Sequence, residues 1–260
     1  MKHYTRIIRI AVVHLRRNYP LKIFFLLLTL SVACDNEISE PYEPQFNVYA
    51  VLRNDKVIQE VTVDRTYLME EPSELYIDDA LVVLSNAHNV DTLIFSDSLL
   101  RYTTSDTFSL SPLEIYRLSV AKEGFETLFA ETRIPGGFDF IWPPEGDTMT
   151  LMDSIVFRKN IGVSIYFCYF WGFISDTWYT TGTFTYEPVA SETLVKIPLY
   201  DHFSDYPSGI YTITFSALDS NFYEYYNASD NDLVQAGVEN GVGLFGSASV
   251  DSIVNYIVTE

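Results

Sequence analysis

Hydrophobic and polar positions along most of this chain repeat with a period of two. From Phe46 onward, short alternating or apolar runs are separated by turn residues. FNVYAVL (46–52) is rich in β-branched and aromatic residues and has no helix caps. VIQEVTVDRTYL (57–68) puts Val57, Gln59, Val61, Val63 and Arg65 on one face and Ile58, Glu60, Thr62 and Asp64 on the other. That alternation, with one wetter face, predicts an antiparallel strand. ALVVL (80–84) is a continuous apolar run suited to a central strand. Further strands are predicted over 91–95, 115–121 and 127–134, the last two flanking a hairpin-like connection at Lys122–Phe125. Pro135–Gly137 closes that unit, and Trp142–Gly146 reads as a boundary. The second half predicts strands over 153–158, 163–174, 177–186, 193–198 and 209–217. The single predicted helix is Asp219–Asn227, capped by Asp219 or Ser220, with Phe222, Tyr225 and Tyr226 on one side.

Strands at this spacing, punctuated by Gly and Pro, predict a mainly β fold. The expected architecture is two consecutive immunoglobulin-like or fibronectin-like β-sandwich units with one short helix near the C-terminus. The expected divisions are a signal over 1–33, an acidic tether over 34–44, an N-terminal sandwich over 45–137, a linker over 138–149, and a C-terminal sandwich with the helix over 150–260. A short internal echo supports two units. Tyr116-Arg-Leu118-Ser-Val120 and Tyr211-Thr-Ile213-Thr-Phe215 share one pattern, and each Tyr is placed to hydrogen-bond back to a preceding corner.

The N-terminal segment breaks the strand pattern. Lys2, Arg6, Arg9, Arg16, Arg17 and Lys22 precede an uncharged run, Ile23–Ala33, and no acid occurs before Asp35. A basic stretch, then an apolar run too short to span a bilayer, then small residues is the pattern of a secretory signal. The basic stretch is long, so translation can begin later than Met1. Ser31-Val32-Ala33-Cys34 has a bacterial lipobox shape, although Ser31 stands where Leu is usual and Leu30 lies one place earlier. Cys34 is therefore the expected lipidation site, holding the mature chain on a bilayer. The alternative is an ordinary cleaved signal in which Cys34 is incidental. The tether DNEISEPYEP (35–44) resembles a surface-export signal or is a solvated spacer.

Loss of residues 1–33 leaves ten basic residues against 35 acidic ones. Such a chain repels nucleic acid, whose affinity comes from Lys and Arg neutralising phosphates. With Cys34 acylated, Cys168 is the one remaining thiol, so stability rests on packing. No catalytic residue, metal ligand set or cofactor is assigned. His88 and His202 have no metal-ligand spacing, and there is no GxSxG elbow. Asp78–Asp79, Glu70–Glu71 and Asp230–Asp232 lack a calcium-loop pattern. Gly241-Val-Gly243-Leu-Phe245-Gly246 is a literal GxGxxG, but no helix pattern follows, so its glycines are expected to serve bends, bulges or close backbone approach. The aromatic run around Trp171 and Trp178–Tyr179 reads two ways. It is either a buried strand pair or a partner surface for a glycan or a peptide, with Trp171, Trp178 and Tyr179 as the candidate contacts.

Several stretches together resemble a Bacteroidota outer-membrane lipoprotein family known as domain of unknown function 4249. They are Cys34 with its acidic tether, Val48–Leu52, Ala80–Leu84, Tyr116–Val120, and Glu239-Asn240-Gly241-x-Gly243-x-Phe245-Gly246. In that signature Asn240, Gly241, Gly243, Phe245 and Gly246 are expected to be structural. The resemblance implies a β-sandwich protein anchored to outer-membrane lipid through Cys34, on the periplasmic face or at the cell surface, often encoded near TonB-dependent transporters, and supplies no catalytic residues. This chain is shorter than many members between Tyr186 and Ser208. The leading expectation is a non-enzymatic binding or accessory component of such a transporter. The alternatives are a structural or adhesive surface module and a hydrolase.

Overall fold

The computed structural model describes residues 42–67, 76–105, 108–180, 183–229 and 233–259. Cys34, the tether up to Pro41, and the Glu70–Glu71 and Asp230–Asp232 pairs lie outside them. Pro44–Glu260 forms one compact unit. Its strands are, in order, β1 (Phe46–Arg53), β2 (Glu60–Arg65), β3 (Leu81–Ser85), β4 (Val90–Thr92), β5 (Ile94–Ser96), β6 (Arg101–Thr103), β7 (Ile115–Ala121), β8 (Leu128–Arg133), β9 (Phe140–Trp142) and β10 (Thr148–Thr150). They continue with β11 (Ser154–Arg158), β12 (Ile165–Ile174), β13 (Thr177–Thr180), β14 (Phe184–Tyr186), β15 (Leu194–Pro198), β16 (Gly209–Leu218), β17 (Gln235–Ala236), β18 (Val238–Glu239) and β19 (Gly241–Val258). The helices are α1 (Tyr200–Phe203) and α2 (Ser220–Asn227).

The protein is mainly β and of sandwich type, as the alternation predicts. One long sheet runs β13-β12-β16-β19-β1-β2-β6-β5, with β10 and β17 beside β19 and β14 beside β12. A five-stranded sheet, β18-β8-β7-β3-β4, shares one core with the β1, β2 and β6 end of that sheet. A three-stranded sheet, β15-β11-β9, shares a second core with the β12 and β16 end. The two sandwiches therefore share a sheet.

The shared strand is β19. At about 3.3 Å per residue it extends about 60 Å, enough to serve both cores. Its first part pairs in parallel with β1, from Phe46↔Gly241 to Arg53↔Ala248. Its second part pairs antiparallel with β16, from Leu218↔Ala248 to Gly209↔Ile257. Accordingly Phe245 packs in the first core, and Ile253 and Ile257 in the second. Residues 138–149 also contribute: β9 pairs with β11, β10 pairs with β19, and Phe138 and Phe140 pack against the second core.

Both expected tyrosine corners are present. The Ser111 N–H donates to the Tyr116 hydroxyl at 2.8 Å, and the Tyr211 hydroxyl donates to the Pro207 carbonyl at 2.7 Å. The expected helix is present as α2, with the Asp219 carboxylate accepting from Phe222 N–H at 2.9 Å.

The GxGxxG stretch lies inside β19 and brings backbones close together. A Cβ on Gly243, whose φ is +113°, would sit 2.0 Å from the Val48 carbonyl oxygen. One on Gly241 would meet Leu128 at 2.5 Å and the Phe46 carbonyl oxygen at 2.9 Å. Asn240 turns the chain into this strand with a left-handed φ of 59°, and its side chain donates to the Thr127 carbonyl. Gly246 packs beside Leu244 and the α2 cap residue Asp219.

Candidate functional site

Strand β12 explains where the aromatic run goes. Its sequence IYFCYFWGFI alternates, so successive side chains point to opposite faces. Tyr166, Cys168 and Phe170 point inward and are fully buried in the second core. Burial pushes the Cys168 thiol pKa up, which leaves it a packing residue rather than a nucleophile. Phe167, Tyr169, Trp171 and Phe173 point outward. Phe167 is covered by α2 through Phe222 and Tyr226, at ring separations of 5.3 and 5.4 Å. Tyr169, Trp171 and Phe173 lie beyond the helix and are open to solvent.

Cross-strand register extends this ladder sideways, because partners on adjacent strands share a face. Phe173 pairs with Trp178 on β13, and extending the Trp171↔Thr212 register by two residues brings it level with Ile210 on β16, which pairs with Tyr256 on β19. The resulting row Trp178–Phe173–Ile210–Tyr256 is 63%, 54%, 60% and 41% exposed. The next row is Thr180–Trp171–Thr212–Val254, and the next holds Tyr169, Thr214 and Ser252. Trp178 lies 5.7 Å from Trp171 and 5.0 Å from Phe173 by ring centroid, tilted by 43° and 49°. The rings brace one another and keep part of each face open. Among the described residues of β10, β12, β13, β16 and β19, no charged side chain shares this outward face. The absence of charge stands out in a chain whose residues are 20% charged.

The candidate contacts are divided by the same alternation. Trp171 and Trp178 are on the open face. Tyr179 faces the other way, packs against the second core and meets Tyr206 at 6.5 Å. Adjacent residues of one strand cannot share a face, so Tyr179 is not part of the platform. Ile210, Val254 and Tyr256 are part of it and were not singled out from the sequence. Their own strands alternate, but only the register against β12 reveals that they line up with the tryptophans.

The remaining chemistry-bearing groups do not converge. His88 is exposed, 3.9 Å from Glu114, in the turn before β4. His202 stacks on Phe184 at 3.7 Å, and burial lowers its pKa. Asp79 pairs with Lys122. Among the described residues no group of three or more His, Cys, Asp or Glu is arranged to hold a metal ion. No helix among them is long and apolar enough to cross a membrane.

No family model matches the chain, and no curated protein matches it. A solved structure from a 1.5-MDa bacterial ice-binding adhesin is 10% identical, with a TM-score of 0.19. The alignment spans 85% of this chain and 66% of that one. The IG1+IG2 structure of DIP-gamma is 9% identical, with a TM-score of 0.20, over 84% of this chain and 99% of that one. Similarity at that level carries nothing about activity.

Proposed function

We propose that this chain is a non-enzymatic, lipid-anchored binding protein of the cell envelope that meets its partner through the outward face around Trp171 and Trp178. One observation carries the reading. The face combines exposed, mutually braced aromatic rings with no charged side chain among the described residues of its strands, whereas most of a protein's solvent-facing surface is polar or singly apolar. The Cys34 context and the acidic tether support an anchor in the outer membrane. The similarity around Asn240–Gly246 supports kinship with Bacteroidota surface lipoproteins and, through it, an accessory role beside a TonB-dependent transporter.

The test is a mild cross-link and affinity pull-down of the full-length protein from its native envelope. A transporter should be recovered reproducibly, and the Trp171→Ala/Trp178→Ala double variant should lose it while keeping its thermal midpoint. Recovery of the bait alone, from a preparation in which known complexes survive, would refute the accessory role. Metabolic labelling with a palmitate analogue checks the anchor: label should depend on Cys34 and vanish in Cys34→Ala.

A further inference from the structure

Building on the binding role proposed above, we infer that the outward face is a stacking platform for a neutral glycan. Three features of the face set the ligand class. The first is size. Tyr169 to Phe173 spans about 14 Å along β12, and Trp178 to Tyr256 spans three inter-strand spacings, about 14 Å across. That span matches a short run of sugar rings.

The second feature is charge. The chain is strongly acidic, yet among the described residues of its strands this face has neither an acid to attract cations nor a base to hold carboxylate or sulfate groups. A neutral ligand meets no desolvation penalty from buried charge here. The third is the mixture of side chains. Aromatic rings are interspersed with the half-buried Thr212 hydroxyl and the exposed Ser252 hydroxyl, which also bonds the buried Thr214. A sugar has the same two-sided character, with C–H faces that stack on rings and hydroxyls at the rim. A bilayer is a poorer match. The rings lie on the sheet and are partly embedded among their neighbours, whereas interfacial membrane anchors bury about 5–10 Å deep.

The experiment is affinity electrophoresis of the detergent-solubilised full-length protein in gels cast with mixed-linkage β-glucan, glucomannan, galactomannan or dextran. A polygalacturonate gel serves as the charged comparison. At least one neutral polysaccharide should retard the protein, with little sensitivity to salt. Trp171→Ala and Trp178→Ala should each weaken binding about tenfold, a change of about 1.4 kcal/mol. Trp178→Tyr should retain most of it, and Phe129→Ala, an exposed aromatic of the other sheet, should change nothing. Retardation by no neutral polysaccharide overturns the inference, as does retardation by polygalacturonate alone. Strong fluorescence quenching by vesicles of acyl-brominated phosphatidylcholine, lost in the double Trp variant, would overturn it in favour of lipid. If the envelope pull-down depends on Trp171 and Trp178 while every polysaccharide fails, the binding face stands and the glycan falls. If both fail, both readings fall.

Discussion

At the residue scale, the Asp219 carboxylate ties three elements together. It caps α2 through Phe222 N–H, and the hydroxyls of Thr132 on β8 and Ser247 on β19 both reach its Oδ2. Removing it orphans those donors in a buried place, so Asp219→Ala should cost about 1–3 kcal/mol in chemical denaturation. Burial raises the Asp219 pKa above its ordinary 3.8, although its hydrogen bonds pull the other way. The unfolded chain therefore ionises first, and stability should fall as pH rises from about 3.8 through the folded value, then level off. Asp219→Asn should remove that slope, and a slope unchanged in the variant would contradict the assignment. The cap itself was legible, because an Asp precedes a helical pattern. The hydroxyls from β8 and β19 were not, since they lie 87 and 28 residues away.

At the element scale, the pairing of β1 with β19 depends on glycine at two crowded positions. Gly243→Ala should cost about 3 kcal/mol or more, since its Cβ would overlap the Val48 carbonyl and the backbone there is left-handed. Gly124→Ala also carries a positive φ but meets nothing within 4 Å, and should cost about 1 kcal/mol. Thermal melts of the two variants separate crowding from conformation, and equal losses would refute the close approach. Most strands were legible from period-two patterning. β9 and β10 hid in a Pro- and Gly-rich stretch that reads as a linker, because three-residue strands show little alternation. The predicted strand 177–186 is two strands, β13 and β14, both pairing with β12. β19 was the largest omission: its opening glycines mask a strand of 18 residues.

At the scale of the whole molecule, one strand serving two cores couples them. Leu118 is buried in the first core, while Trp142, Trp171 and Trp178 all lie in the second half. Leu118→Ala, a loss of about 2–5 kcal/mol, should lower the midpoint of the tryptophan fluorescence transition as if both halves unfolded together. An unchanged midpoint would mean independent halves. Two sandwich units can be read from the sequence, but a common sheet cannot, because the parallel pairing of the first and last strands leaves no local mark. The exposed aromatic face was half legible for the same reason: Trp171 and Trp178 announce themselves, and Ile210, Val254 and Tyr256 join them only through register. The most direct test of that face is hydroxyl-radical footprinting of the protein in its native envelope against the purified protein. Trp171 and Trp178 should be strongly protected in the envelope, with Trp142, exposed on β9 away from the face, oxidised equally in both. Equal oxidation of all three tryptophans in the two preparations would contradict the account.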